Sequence, residues 1–370
     1  MNGKIRLSKS SISQAEKNAV LEVLDTEYLG MGEEVRLFEE KIQQYLQTNK
    51  NVVCVSTGTS ALHLALSALG IKKGDEVLVP SLTYVASFQV ISATGATPIP
   101  CELNPDTLFI DVEDAKKRIT KNTKAVMPVH YASSSKGINE VYILAKEFNL
   151  RVIEDAAQAF GSKRDAKKVG CDGDIICFSF DGIKNITSGE GGAILSSDKE
   201  LIQKLQDARL LGVEKDTDKR FSGQRSWDFD VKEQGFRYHM SNIMAAIGIV
   251  QIDRLDDFKI KRQQIAKTYT KKLNNINAIS ILNFDFNDVL PHIFVIKAEN
   301  RDGLREYLIK NNIECGVHYK PNHLLTKYNL GYNLPITEKI YEQILTLPCH
   351  YDLTKDDQDY VIGKIKKFYE

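Results

Sequence analysis

The segment CFSFDGIKNITSGEGGAIL spans residues 177–195 and joins two apolar runs through a polar, glycine-rich loop. Lys184 lies in this loop, just after the first apolar run. A lysine amine that is buried or flanked by cations loses its proton near neutral pH, and it can then attack an aldehyde to form a Schiff base. A lysine beside a strand is nevertheless more often a solvated charge, because lysine is rarely buried. Lys184 is therefore a candidate whose role depends on the segments before it.

Short apolar runs alternate with helix-like stretches from residue 51 onward. These runs lie at residues 52–55, 76–79, 98–101, 125–129, 151–153, 175–180 and 192–195. Such alternation is typical of a mainly parallel sheet with helices on both faces. We therefore expect an α/β fold whose larger domain is built on a mainly parallel, seven-stranded sheet flanked by helices.

The pattern changes in the last third of the chain. Residues 240–258 read as a helix that continues to about residue 273, and strand-like runs at 278–282 and 292–297 and further helices follow. This pattern predicts a smaller C-terminal α+β domain. We place the division between residues 1–250 and 251–370, inside a long helix.

The N-terminal region also carries a helix signal. Ser13 followed by Glu16 matches a capping box that opens an amphipathic helix. This N-terminal helix can pack on the smaller domain.

The composition argues against several classes of partner. Lys plus Arg equals Asp plus Glu, at 49 each, so no net field favours nucleic acid or an anionic membrane. The six cysteines form no CxxC pair, which indicates reduced thiols and no zinc site. Residues 1–20 lack an apolar signal core, and no apolar run is long enough to span a bilayer. We expect a cytoplasmic protein that binds neither nucleic acid nor membrane.

Ligands of α/β sheets bind beyond the carboxyl ends of the strands, so the residues directly after each apolar run are the first candidates. In VSTGTSALHLAL (residues 55–66), Gly58 and Thr59 open a helix after a strand. The free backbone N–H groups and the positive dipole end of such a helix can hold a phosphate. An ordinary N-capped helix explains this segment about equally well.

Two further segments place an aromatic ring and an acid after strands. In PSLTYVAS (residues 80–87), the Tyr84 ring can stack on a flat heteroaromatic cofactor, although a core position is more frequent for tyrosine. In RVIEDAAQAFGS (residues 151–162), Glu154 and Asp155 point to opposite faces of the strand, so at most one enters the cleft. Asp155 is the better candidate to keep a pyridine nitrogen protonated, and Gln158 can bond a ring hydroxyl. A helix cap is the alternative role of Asp155.

The fourth segment is the one that contains Lys184. Ser179, five positions earlier, can donate its hydroxyl to a phosphate. Gly189, Gly191 and Gly192 permit a tight reversal into the next strand, although they also fit a turn without function. Each segment is ambiguous alone, but phosphate cup, aromatic ring, acid and lysine all follow strands of one sheet. Together they indicate a site for pyridoxal 5′-phosphate (PLP).

With these residues in view, the chain resembles the DegT/StrS family of aminotransferases over nearly its full length. The resemblance is carried by the motifs EYLGMGEEVRLFEE, STGTSALHLAL, GDEVLVPSLTYVAS, VIEDAAQAFGS, SFDGIKNITSGEGGAI, YHMSNIMAAIG, GVHYKPNHLL and LPCHYDLT. It implies a fold type I, PLP-dependent enzyme that acts on nucleotide-linked keto sugars. Relatives with histidine in place of the lysine are sugar dehydratases, so Lys184 favours the transaminase branch.

The resemblance also implies roles for individual residues. It makes Lys184 the Schiff-base lysine and Asp155 the partner of the pyridine nitrogen. The remaining cofactor contacts that it implies are Gln158 at the ring oxygen, Tyr84 stacked on the ring, and Gly58, Thr59 and Ser179 at the phosphate.

Arg237 departs from the family pattern. Many members have an asparagine here that reaches the cofactor phosphate across a dimer interface, whereas this chain reads GFRYHM at residues 235–240. A bidentate arginine can still reach the phosphate, and a helix start that faces a dimer partner is an equal alternative. A homodimer with the active site at its interface is implied. His318 and Tyr319 resemble a loop near the substrate, although a lone histidine is more often structural.

The expected reaction is a transamination in two halves, in which L-glutamate donates its amino group and becomes 2-oxoglutarate. Lys184 acts as base and then as acid in both halves. The acceptor is the ketone of a nucleotide-linked deoxysugar, with C4 favoured over C3, in lipopolysaccharide or glycan biosynthesis. Residues 212–233, with the only tryptophan, Trp227, form either a substrate loop or an interface loop. The alternatives are another fold type I enzyme that acts on amino acids, and a non-catalytic regulatory relative.

Overall fold

A computed structural model describes residues 3–370 of the chain. Its strands are β1 (Asn51–Val55), β2 (Glu76–Pro80), β3 (Thr97–Cys101), β4 (Thr123–Val126), β5 (Arg151–Asp155), β6 (Lys163–Arg164), β7 (Lys167–Lys168), β8 (Ile175–Ser179), β9 (Gly192–Ser196), β10 (Ile279–Ile281), β11 (Phe294–Ala298) and β12 (Ile344–Leu347).

Helices connect the strands and cover the sheets. They are α1 (Gln14–Asp25), α2 (Glu33–Leu46), α3 (Gly58–Ala68), α4 (Val85–Ala93), α5 (Val112–Arg118), α6 (Ile138–Phe148), α7 (Lys199–Ala208), α8 (Asp216–Phe221), α9 (Asn242–Asp253), α10 (Leu255–Leu273), α11 (Arg301–Lys310), α12 (Pro335–Gln343) and α13 (Lys355–Tyr369). None of these helices is long and apolar enough to cross a membrane.

Seven strands form the large sheet, in the order β1-β9-β8-β5-β4-β2-β3. Strands β8, β5, β4, β2 and β3 run parallel, and β9 is antiparallel to both of its neighbours. The predicted mainly parallel, seven-stranded sheet is therefore confirmed. Because β9 reverses direction, its first residue, Gly192, pairs with Val55 and with Ser179. The loop that contains Lys184 consequently lies at the edge where the parallel strands end.

The side chains of the sheet alternate between two cores, as the two-residue period of a strand requires. In β1, Val53 and Val55 pack with α3, α4 and α7, whereas Val52 and Cys54 pack with α2 and α9. Both faces of the central strands are therefore covered by helices, and the sheet is open for binding only at its ends.

A second, three-stranded antiparallel sheet, in the order β10-β11-β12, forms the C-terminal part with α11 and α13. The predicted smaller α+β unit is confirmed. Strand β12 was missed, because Ile344 follows α12 directly and no turn residue separates them in the sequence.

Residues 242–273 form two helices that meet at Arg254, so the division expected at residues 250/251 falls in α9. We propose that the division between the two domains lies slightly later, within α10. Leu255 and Phe258 pack in the core of the large sheet, whereas Ile265 and Tyr269 pack against the small one. A rigid helix shared by both cores fits a division without a flexible linker.

The predicted capping box is present at the start of α1, where Ser13 and Glu16 exchange hydrogen bonds. Glu16 also accepts a bond from Gln251 Nε2 at 2.6 Å and pairs with Arg254. These bonds tie α1 to the end of α9.

A buried ion pair links α2 to the end of α7. Arg209 is fully buried, and its Nη1 donates to Glu39 Oε1 at 2.5 Å and to the Cys54 carbonyl at 2.8 Å. Removing one partner of a buried pair leaves an uncompensated charge, which is far more costly than the loss of an exposed pair.

We predict that Glu39→Gln lowers the free energy of unfolding by about 3 to 5 kcal/mol, because the Arg209 guanidinium would stay buried without a counter-charge. Urea unfolding followed by circular dichroism measures this change. The matched control is Glu33→Gln, which removes the exposed partner of Arg36 and should stay close to wild type. Equal stability of the two variants would contradict the prediction.

Candidate active site

The four predicted segments converge at one edge of the large sheet. Strand β1 leads into α3, β2 leads toward Tyr84, β5 ends at Asp155, and β8 ends at Ser179 before the Lys184 loop. Carboxyl ends of parallel strands meet at the same edge, and a ligand that bridges them contacts several loops at once.

The start of α3 is shaped to receive an anion. Thr57 is the N-cap, and its hydroxyl oxygen accepts the Ser60 N–H at 2.9 Å while Ser60 Oγ accepts the Thr57 N–H at 2.9 Å. The capping box therefore uses Thr57 and Ser60, and the N–H groups of Gly58 and Thr59 are the ones that a helix start leaves free for a ligand. The two alternatives raised by the sequence, a capped helix and an anion site, are compatible here.

Ser179 lies against this helix start. A Cβ atom added at Gly58 would be 2.5 Å from Ser179 Cβ and 2.8 Å from its Oγ. A Cβ atom added at Gly192 would be 2.3 Å from the Thr57 carbonyl oxygen. Glycine at both positions allows β8, β9 and α3 to approach closely, so the Ser179 hydroxyl and the α3 amides border one small space.

The adjacent acids at the end of β5 separate as strand geometry predicts. Glu154 is buried on one side, where its oxygens pair with His130 Nε2 at 2.7 Å and accept the Tyr142 hydroxyl at 2.7 Å. Burial alone would raise the pKa of Glu154, but the bond to His130 and its charge hold that pKa below the usual value.

Asp155 has a different environment. Its Oδ2 accepts the Ser87 hydroxyl at 2.8 Å, and its Oδ1 accepts the Ala157 N–H at 3.2 Å. The Ala157 bond closes a short turn, and no helix begins there, so Asp155 is not a helix cap. Burial raises the pKa of Asp155, since Ser87, Ala157 and the Lys184 charge compensate only in part. A buried carboxylate of this kind gains most from a cationic partner.

Lys184 is half-buried, and its Nζ lies 3.4 Å from Nε2 of His292. No carboxylate in residues 3–370 lies within ion-pair distance of this amine. Burial lowers the pKa of Lys184, and the more distant charges of Asp181, Asp155 and Glu190 oppose only part of that effect. The amine and Asp155 are close enough for each charge to shift the pKa of the other.

Tyr84 and Gln158 border the same space. Tyr84 is 59% exposed, so it is not a core aromatic, and its ring centre lies 5.7 Å from that of Tyr319. Gln158 is buried, with Oε1 accepting the Ala132 N–H at 2.8 Å and Nε2 donating to the Tyr319 hydroxyl at 3.2 Å. Tyr319, from the small domain, therefore contacts both the Tyr84 ring and the Gln158 amide.

Arg237 lies on a segment beside the outer edge of β1. The neighbouring His239 bridges Val55, and the Ser56 N–H donates to the Tyr238 carbonyl at 2.7 Å. The Arg237 side chain is exposed and forms no ion pair within the described range. A single chain therefore leaves this guanidinium uncommitted.

Sequence reasoning missed Ser87 and His292. Ser87 lies three residues after Tyr84 in α4, so the helical spacing of PSLTYVAS could have suggested that it faces the same space. His292 belongs to the small domain and has no local signal, since only the packing of the two domains brings it to Lys184.

The donor set fits PLP. Its phosphate requires N–H and hydroxyl donors, its ring nitrogen an acid and its aldehyde a neutral amine. The space between the domains offers the α3 amides and Ser179, the buried Asp155 and the Lys184 amine of lowered pKa. The α3 amides and Ser179 are uncharged donors, and the lowered pKa of Lys184 favours the neutral amine that the aldehyde requires.

Known proteins share this architecture. The model of the DegT/DnrJ/EryC1/StrS aminotransferase family matches residues 10–366. The chain is 37% identical over 374 residues to the GDP-perosamine synthase of Escherichia coli O157:H7, covering 99% of this chain and 98% of the relative.

Solved structures agree. The aminotransferase TlmJ from Streptoalloteichus hindustanus superposes with a TM-score of 0.92 at 29% identity, covering 98% of each chain. Spr1654 from Streptococcus pneumoniae, in its PLP form, superposes with a TM-score of 0.90 at 30% identity, also covering 98% of each chain. The chain therefore belongs to the DegT/DnrJ/EryC1/StrS aminotransferase family, and it is a PLP-dependent aminotransferase that acts on sugars.

Proposed function

We propose that this enzyme transfers the amino group of L-glutamate to the ketone of a nucleotide-linked deoxysugar, at C4. The observation that carries the site assignment is the juxtaposition of the half-buried Lys184 side chain and the buried Asp155 carboxylate at the carboxyl edge of one sheet. The nucleotide-linked substrate is supported by the relative named GDP-perosamine synthase. We propose that the reaction takes place in the cytoplasm and serves lipopolysaccharide or glycan biosynthesis.

Each residue has a proposed task. Lys184 binds the cofactor covalently, and when it is released it removes a proton from the amino donor and later returns one to the product. Asp155 holds a proton on the ring nitrogen, with Ser87 fixing its carboxylate. When bound, the cofactor draws electrons away from the carbon that loses its proton.

The remaining residues orient the cofactor. Gly58, Thr59 and Ser179 bind the phosphate, and Tyr84 stacks on the ring. Gln158 donates its second amide N–H to the ring oxygen, because Ala132 and Tyr319 leave that hydrogen free. Both Tyr84 and Gln158 contact Tyr319, so the small domain helps to position the ring.

The proposal extends to a homodimer in which Arg237 reaches the phosphate of the partner's site. It is supported by the uncommitted Arg237 side chain and by the exposed apolar residues before it, of which Trp227 is 88% exposed. Phe229 and Val231 on the same segment are also exposed. We propose that residues 212–233 contact the partner subunit.

Amination assays test the substrate and the donor. Purified enzyme is offered 3-keto and 4-keto deoxysugars linked to dTDP, UDP or GDP, and the products are identified by mass spectrometry and NMR. We expect amination at C4, strict dependence on L-glutamate and no product from Lys184→Ala, because that variant lacks the proton-transferring amine. Faster amination of free keto acids than of every nucleotide sugar would favour the rival enzyme that acts on amino acids.

Gly58→Ala tests the phosphate site. The added methyl would meet Ser179 at 2.5 Å and displace the amide donors, so we expect the Kd for PLP to rise on the order of 100-fold. Fluorescence titration of the cofactor-free protein measures it. Gly363→Ala, in α13, adds the same methyl to open space and should bind PLP as wild type does. If Gly58→Ala bound PLP with unchanged affinity, the phosphate would not bind at the start of α3.

Subunit mixing tests the shared site. If Arg237 serves the partner's site, a heterodimer of Lys184→Ala and Arg237→Glu subunits has one intact site, and full exchange should restore about a quarter of the wild-type rate. The control mixture of Lys184→Ala with Gly58→Ala, assayed at a PLP concentration well below the Kd of Gly58→Ala, places both defects in residues of one subunit's own site and should stay inactive. No recovery in the mixture of Lys184→Ala with Arg237→Glu would mean that Arg237 does not act across the interface.

A further inference from the structure

The Lys184 amine meets a histidine instead of a carboxylate. Its Nζ lies 3.4 Å from His292 Nε2, which is its one side-chain hydrogen-bond partner among residues 3–370. His292 is buried, and within the same range its Nδ1 has no partner. Only the Nε2 side of the imidazole is therefore engaged.

His292 is a neutral imidazole at physiological pH. Burial lowers its pKa well below the usual value, and the nearby Arg262 guanidinium lowers it further. A neutral imidazole carries one hydrogen, on either Nδ1 or Nε2, and the other nitrogen is an acceptor. The position of that hydrogen decides what Lys184 meets.

Two other buried histidines in the described chain indicate which nitrogen carries it. His130 Nε2 faces the Glu154 carboxylate at 2.7 Å, and His350 Nε2 faces the Arg6 carbonyl at 3.1 Å. Both partners accept hydrogen bonds, so Nε2 is the donor in each case, and Nδ1 is left without a partner in each. At His350, whose pKa is lowered by burial, the unpartnered Nδ1 is a lone pair, which costs less than an unpartnered buried N–H.

The same arrangement at His292 puts the hydrogen on Nε2, directed at Lys184. An ammonium group has three donors and no acceptor, whereas a neutral amine has a lone pair that can accept. We propose that His292 is a positioning residue that donates its Nε2–H to Lys184 Nζ and so holds this side chain as a neutral amine. The inference rests on the proposed role of Lys184, which requires an uncharged nucleophile and base.

The main chain at His292 is fixed from two sides. Its N–H donates to Ser133 Oγ at 2.9 Å, and Arg262 Nη1 donates to the Pro291 and His292 carbonyls at 3.3 Å each. The main chain that carries the imidazole is therefore held by bonds that do not involve Lys184.

The charged groups around the pair act against each other. Asp155, Asp181 and Glu190 face Lys184 and favour its ammonium form. Arg262 and His318 face His292. A hydrogen bond donated by His292 favours the neutral amine of Lys184, and so opposes the effect of the three carboxylates without adding a charge to the site.

His292→Leu distinguishes the effect of the hydrogen bond on the Lys184 pKa from the effect of burial. Leucine removes the N–H donor but keeps the surroundings of Lys184 apolar. We expect the Lys184 pKa to rise by about one unit. At a pH below the pKa, the fraction of Lys184 in the neutral form would then be about tenfold smaller. Competitive acetylation of the cofactor-free protein across pH, with peptide mass spectrometry of Lys184, measures it. His292→Gln, whose side-chain amide can donate from a similar place, should restore the wild-type value.

His350→Leu is the matched control, since it removes a buried histidine of the same bonding pattern far along the sequence from the Lys184 loop, and it should leave the Lys184 pKa unchanged. A Lys184 pKa in His292→Leu that equals or falls below the wild-type value would overturn the proposal. The readout uses the cofactor-free protein, so it is independent of whether Lys184 binds the cofactor, which the amination assays judge separately.

A measurement on the wild-type protein covers the case in which His292→Leu does not fold. Labelling with 15N-histidine distinguishes the two tautomers by the nitrogen shifts, and the loss of one signal in His292→Gln assigns His292 among the seven histidines. A hydrogen on Nε2 supports the proposal. A hydrogen on Nδ1 would overturn it, because Nε2 would then accept from the lysine and favour the ammonium form.

Discussion

A desolvated amine beside a buried carboxylate, without a direct ion pair, is the constraint on which the proposed active site depends. Lys184 and Asp155 each lose hydration, and each has its pKa shifted toward the uncharged form by that loss. A direct salt bridge would pair the two charges with each other, and neither group would then be available to bind a ligand. Their separation at one sheet edge leaves room for a ligand that offers an aldehyde to the amine and a protonated nitrogen to the acid.

The rest of the fold maintains that separation. The β9 reversal brings Ser179 and the Lys184 loop to the carboxyl edge, where the close contact between Gly58 and Ser179 fixes the helix start. On the far side of β5, Glu154 is held by His130 and Tyr142, so the strand end that carries Asp155 is anchored by a buried polar network. The small domain adds Tyr319 and His292, so the site requires both domains.

The sequence predicted the parts of this arrangement that depend on local patterns. Alternating apolar runs predicted the seven strands, and the two-residue period of β5 predicted that Glu154 and Asp155 face opposite sides of the sheet. The capping box at Ser13 was predicted for the same reason, since its signal lies within four residues. Contacts between distant segments could not be predicted in this way. His292 lies 108 positions from Lys184, and β12 has no turn residue before it.

The central claim is that Lys184 is the residue that binds PLP covalently. Borohydride reduction of the purified holoenzyme, followed by peptide mass spectrometry, tests it most directly because reduction makes the linkage permanent at whichever amine carries it. The account predicts a pyridoxyl group on the peptide that contains Lys184 and on no other lysine. A pyridoxyl group on a different lysine, or none on Lys184 in protein that retains the cofactor, would contradict it.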